Sequence, residues 1–93
     1  MLFVAMGTVR GDMGTTKERV ERRIQWQYPE GASVIGEYWL QTTDPTVIVI
    51  FEADDIAPIM AMNTEWDDYF NITVVPAISA KDGLELAKQM MEG

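Results

Sequence analysis

The chain opens on a run without polar interruption. LFVAMGTV, residues 2–9, is continuously apolar or small with β-branched members, the pattern of a strand buried on both faces. RGDMG, residues 10–14, breaks it. In TTKERVERRIQWQY the period changes: Thr15 followed three residues later by Glu18 has the spacing of a capping box, and Val20, Ile24 and Gln27 or Tyr28 recur at helical intervals. Pro29 and Gly31 supply a stop for that helix. Residues 33–41 (SVIGEYWLQ) and 46–53 (TVIVIFEA) are rich in Val, Ile, Tyr, Trp and Phe, and TTDP between them has the chemistry of a hairpin turn. Asp54 or Asp55 is placed to cap a second helix, with Pro58 harmless in its first turn and Ile56, Ile59, Met60, Asn63 and Trp66 along one face. Ile72 to Ile78 reads as a fourth strand, in which Pro76 requires an edge position or a bulge. Asp82 and Glu85 repeat the capping-box spacing ahead of a last helix striped by Leu84, Ala87, Lys88 and Met91.

The order β-α-β-β-α-β with a terminal helix is that of the ferredoxin-like split βαβ arrangement, an α+β fold with a four-stranded antiparallel sheet in a single domain over residues 1–93. Right-handed crossovers place both main helices on one face of the sheet. The other face needs a cover, and in a chain of 93 residues the expected cover is the same face of a second copy. A chain this short buries only about 60–65% of its unfolded surface, and without cysteine it has no disulfide staple. Pairing of two copies is the remaining way to bury more.

Composition narrows the chemistry. The net charge of −8 opposes nucleic acid as a partner, because that affinity rests on Lys and Arg neutralising phosphates. Arg10, Lys17, Arg19, Arg22 and Arg23 hold most of the positive charge, whereas between Ile24 and Ala80 there are nine acids and no base. There is no histidine, so His-ligated haem, His-bound zinc and His-based proton transfer are excluded. The apolar N-terminal stretch is short and has no basic leader, as expected of a first strand rather than a signal peptide, and no segment has the length of a membrane span. The expectation is a soluble, cytoplasmic protein without cofactor or membrane partner.

Candidate chemistry centres on VIGEYWLQ. If the hairpin pairs Leu40 with Val47, then Trp39 opposes Ile48, Glu37 opposes Ile50 and Ile35 opposes Glu52. Ser33, Glu37, Trp39, Gln41 and Glu52 then share one mixed face, suited to a cavity wall or to the space between subunits, while Val34, Gly36, Tyr38, Leu40, Val47, Val49, Phe51 and Ala53 pack on the helices. Glu37, Trp39 and Glu52 are the ligand-binding candidates. A carboxylate beside Trp39 in a dry space would favour its neutral form and act as a general acid or base. The competing reading has each acid bonded to backbone or paired across a dimer with an arginine such as Arg10 or Arg23. EADD (52–55) and EWDD (65–68) offer carboxylates for a divalent cation but lack EF-hand spacing, and no metal site is assigned.

RRIQWQYPEGASVIGEYWLQTTDPTVIVIFEADD, residues 22–55, resembles a family of small prokaryotic proteins of unknown function, most specifically in PEG, GEYWLQ and EADD; MLFV, VVPAI and the last helix extend the likeness over the whole chain. The resemblance implies the dimeric α+β-barrel superfamily, in which two ferredoxin-like sheets pack face to face. Its characterised members include cofactor-free monooxygenases, muconolactone isomerases, haem enzymes and ligand-sensing domains. No catalytic motif of theirs maps onto residues here, and the histidine used by the haem-binding members is missing. Three functions follow as expectations: a homodimer holding a small molecule between sheet and helices near Glu37, Trp39 and Glu52; a cofactor-independent monooxygenase or isomerase using a carboxylate; or an acidic protein-interaction module.

Overall fold

The computed structural model describes residues 1–11 and 14–93; Asp12 and Met13, the middle of the RGDMG break, lie outside the described residues. The elements are β1 (Leu2–Val9), α1 (Thr16–Gln25), β2 (Ser33–Trp39), β3 (Val47–Glu52), α2 (Ala57–Trp66), β4 (Phe70–Ala77) and α3 (Ala80–Glu92). All strand pairs are antiparallel and the sheet order is β2-β3-β1-β4, the ferredoxin-like arrangement. β4 is an edge strand, so Pro76 opposite Phe3 withholds no donor from an outer neighbour. Among the described residues no helix is long and apolar enough to cross a membrane.

Local chemistry explains most element boundaries. Thr15 caps α1 by accepting the Glu18 N–H at 3.1 Å. α1 ends earlier than Pro29 implies: Trp26 is already extended, so Tyr28 leaves the helix. Asp55 Oδ1 accepts the Ala57 N–H at 2.8 Å and so serves the first turn of α2 from just outside it, with Pro58 in that turn. α3 is capped by Ser79, whose Oγ accepts the Asp82 N–H at 3.1 Å, rather than by Asp82.

The hairpin register differs from the expected one by a residue. Trp39 opposes Val47, Tyr38 opposes Ile48 and Glu37 opposes Val49; a β-bulge between Val34 and Gly36 then returns Val34 to Phe51 and Ser33 to Glu52. Because side chains alternate, the slip inverts β2 relative to β3 beyond the bulge. Val47, Val49 and Phe51 face the helices as expected, but Glu37 and Trp39 share that face with them. Tyr38 points the other way, with its ring lying so close over Gly36 that a Cβ there would sit 2.7 Å from its hydroxyl. Glu52 is exposed on the open face beside Ser33 and Leu2, and the three candidates therefore do not form one wall.

The core lies between the sheet and α2. Ala5, Phe51, Ala53, Ile59 and Met62 are buried together, with Phe3 stacked on Phe51 at 5.6 Å between ring centroids. In α2, Pro58, Ile59 and Met62 face inward while Met60 points out, and Ile56, just ahead of the helix, is exposed. α1 is different. It buries no residue, and Ile24, expected on its packing face, is 75% exposed.

Candidate functional site

What fastens α1 is a set of charged hydrogen bonds. Arg22 donates to both carboxylate oxygens of Asp68 at 2.8 and 2.7 Å and to the Glu65 carbonyl at 3.1 Å, with its guanidinium 4.1 Å from the Tyr69 ring centre. Together with Arg10, which donates to the Asp67 carbonyl at 2.8 Å, it brings cations to the C-terminal end of α2, whose own last turn has none. Part of the acidic 24–80 stretch is thus answered within the chain by the basic helix.

The next residue, Arg23, reaches the sheet. Its Nε donates to both oxygens of Glu37 at 3.1 and 3.0 Å and its Nη2 to Oε1 at 2.8 Å, while Nη1 closes the C-terminus of α1 on the Trp26 carbonyl at 3.1 Å. Trp39 Nε1 donates to the other Glu37 oxygen at 2.7 Å, and the Tyr28 hydroxyl donates to Glu37 Oε1. The early end of α1 at Gln25 is what frees Tyr28 to do so. Glu37 is 17% exposed and Arg23 31% exposed, so the pair is screened from bulk water.

The environment decides the protonation of Glu37. Burial pushes its carboxyl upward, but hydrogen bonds from Arg23, Tyr28 and Trp39 outweigh burial and hold it below its ordinary value of 4.5. Burial, reinforced by the hydrogen bond to Glu37, raises the Tyr28 hydroxyl, and the same carboxylate raises the Arg23 guanidinium. Glu37 is therefore an ionised carboxylate with both oxygens engaged, the reverse of the neutral acid expected beside Trp39. The arginine partner anticipated across a dimer comes from its own chain.

Around this polar end lies a cavity of about 420 Å³ between α1, α2 and the sheet. Ala5, Gly7, Val47 and Val49 form its floor, Val20 and Arg23 its α1 side, Met62, Asn63 and Trp66 its α2 side, and Gln41, Thr42 and Thr43 its hairpin rim. All three tryptophans of the chain, Trp26, Trp39 and Trp66, line it. Trp26 joins two of its walls, meeting Tyr28 at 4.7 Å and Trp66 at 5.6 Å edge to face and donating to Glu65 from its indole N–H. The Oδ1 of Asn63 is buried with no hydrogen-bond partner, a cost carried by the cavity wall itself.

Of the sequence candidates, Glu37 and Trp39 meet at this cavity and Glu52 does not. Arg23, Tyr28, Trp26, Trp66 and Asn63 complete it without having been singled out as ligand contacts. The available signal was three aromatic N–H or O–H donors, on Trp26, Tyr28 and Trp39, on either side of Glu37 in the sequence. Glu52–Asp55 and Glu65–Asp68 do not gather, among the described residues, into a group of three or more potential metal ligands; Asp55 serves α2 and Asp68 holds Arg22.

No curated protein and no solved structure matches the chain. A family profile does match, over residues 1–91, and by that match the chain belongs to DUF3303, a domain of unknown function.

Proposed function

We propose that this protein is a homodimeric small-molecule-binding protein whose ligand occupies the space under α1. The observation that carries the reading is a helix held off its sheet by arginine–carboxylate bonds over an apolar cavity of about 420 Å³. Ordinary packing would have pressed an apolar face of α1 onto Val47 and Val49. Instead the sequence fixes the helix by the arginines of its last turn and leaves room beneath, a volume within the roughly 300–1,000 Å³ range of small-molecule sites. A ligand there supplies the contacts that α1 does not make for itself.

The lining selects for an uncharged, flat, apolar molecule. Glu37 is saturated by Arg23, Tyr28 and Trp39, and Arg23 is spent on Glu37 and the Trp26 carbonyl, so the polar end shapes the cavity more than it attracts a countercharge. The same saturation disfavours the alternative of a proton-transfer enzyme working through Glu37. A dimer is supported by the open face of the sheet, where Leu2, Val4, Met6, Ile48, Ile50 and Val75 present an apolar surface opposite the helices, and by the likeness to the dimeric α+β-barrel superfamily.

Titration with N-phenylnaphthylamine, an uncharged apolar fluorophore that accepts energy from tryptophan, tests the reading. The protein is expected to bind one probe per chain with loss of tryptophan emission. Val47→Phe, which fills part of the floor, is expected to weaken binding at least tenfold, and Trp39→Ala severalfold, both without loss of the dimer. Equal binding in wild type and both variants would mean that the probe sits elsewhere.

A further inference from the structure

Among the described residues, the backbone of the last helix comes close to no other strand or helix. α3 buries no residue; Leu84, Met90 and Met91 are 73%, 73% and 87% exposed. Of the stripe read from the sequence, Leu84, Ala87 and Met91 nevertheless line up with Ala80, whereas Lys88 falls to one side with Lys81, Glu85 and Glu92. The result is an elongated molecule: its radius of gyration is 15.5 Å, against about 12 Å for a compact chain of this length. A thirteen-residue helix is marginal in water unless its apolar face is covered. Only Ile78 and Ser79 join it to β4, and the helix runs on from that strand without its backbone approaching its own sheet.

A second unpartnered surface lies at the opposite edge. β2 is an edge strand on which Ile35 and Tyr38 are 63% and 55% exposed, and an apolar open edge invites uncontrolled pairing unless something covers it. We infer that α3 of each copy is an exchanged arm that docks its Leu84–Met91 stripe over the β2 edge of a second copy, at Ile35 and Tyr38. This rests on the twofold pairing of open sheet faces proposed above. β4, from which the arm departs, and β2, which receives it, are the two opposite edges of one sheet, so a twofold pair that lays β4 over the partner's β2 satisfies both arms at once and closes.

Area supports the same occupant. Four strands about 4.8 Å apart and about seven residues long give the open face roughly 440 Å². That alone falls well short of the approximately 800 Å² per partner of a stable interface. The arm, about 20 Å long and about 10 Å wide, adds roughly 200 Å², and the edge receiving the partner's arm adds a similar amount, which brings each copy close to that figure.

The chain has no cysteine, so an engineered pair reports cleanly. In the full-length protein carrying Ile35→Cys and Leu84→Cys, mild oxidation is expected to give a covalent dimer as the main species, at least tenfold above either single variant. In a separate full-length variant with Leu84→Asp and Met91→Asp, both on exposed positions, the dimer dissociation constant is expected to rise at least tenfold with the fold unchanged by circular dichroism. A dimer by native mass spectrometry that cross-links no better than the single variants would overturn the arm exchange while sparing the sheet pairing. A disulfide within one chain would place the arm on its own β2 and overturn it as well, and a strict monomer would overturn both.

Discussion

Replacing Arg23 with methionine is expected to cost about 2–4 kcal/mol of stability and to release α1 from the sheet, because it strands Glu37 as a half-buried anion. Methionine keeps most of the arginine stem, so apolar packing changes little and the loss reports the charge. The upper figures for breaking a fully buried pair are not reached, since Arg23 and Glu37 retain 31% and 17% exposure and Tyr28 and Trp39 still donate to the carboxylate. Glu37→Gln is expected to cost less, since an uncharged amide avoids the stranded anion, although it turns an N–H₂ toward existing donors. The pH dependence has a definite sign. A carboxyl held below its ordinary value stabilises the fold at pH above that value, and the contribution is lost as the pH falls through the lowered folded-state value. Urea unfolding should therefore show wild type and Glu37→Gln furthest apart near neutral pH and converging in acid below the ordinary 4.5. With Arg23 gone, burial acts on Glu37 with less opposition, its folded-state value moves up toward the ordinary one, and the acid-side loss of stability shrinks.

Phe51→Ala is expected to cost about 3–5 kcal/mol, enough to leave much of the protein unfolded at moderate temperature. Phe51 has no exposed surface, pairs with Phe3 across β1 and Val34 across β2, and is stacked on the Phe3 ring. The core around it is small, because α1 contributes nothing buried, so few neighbours can move in to close the gap. Val49→Ala, two residues earlier on the same face, is expected to cost less than half as much, since that side chain already borders the cavity. Unfolding midpoints by circular dichroism distinguish the two; equal losses would mean that the cavity is filled as tightly as the core.

The architecture was legible because apolar, β-branched and aromatic runs alternate with stretches of helical period at the right places. Pro76 marked an edge strand, and Thr15 with Glu18 marked the start of α1. The face of β2 was not legible. A bulge is one extra residue, and one residue inverts every side chain beyond it; in VIGEYWLQ only Gly36 hints at the irregularity. The inversion carried Glu37 and Trp39 from the open face to the helices and separated them from Glu52. Distance along the chain hid the rest of the site. Arg23 was recognised as a possible partner of an acid, but that it reaches Glu37 across fourteen residues depends on the chain leaving the helix at Trp26, three residues before the proline that looked like the stop. The cavity itself has no local signature, since it arises where α1 fails to pack.

In the proposed binding role, Glu37 is a locked, ionised acid that shapes the cavity and neither gives nor takes a proton. Titration of the glutamate side-chain carboxyl carbons by NMR, with Glu37 assigned through Glu37→Gln, tests it most directly. Glu37 is expected to titrate below its ordinary 4.5 in the wild type and to move upward in Arg23→Met. A wild-type midpoint above that ordinary value, unaffected by Arg23→Met, would contradict the lock and return Glu37 to the role of a general acid or base.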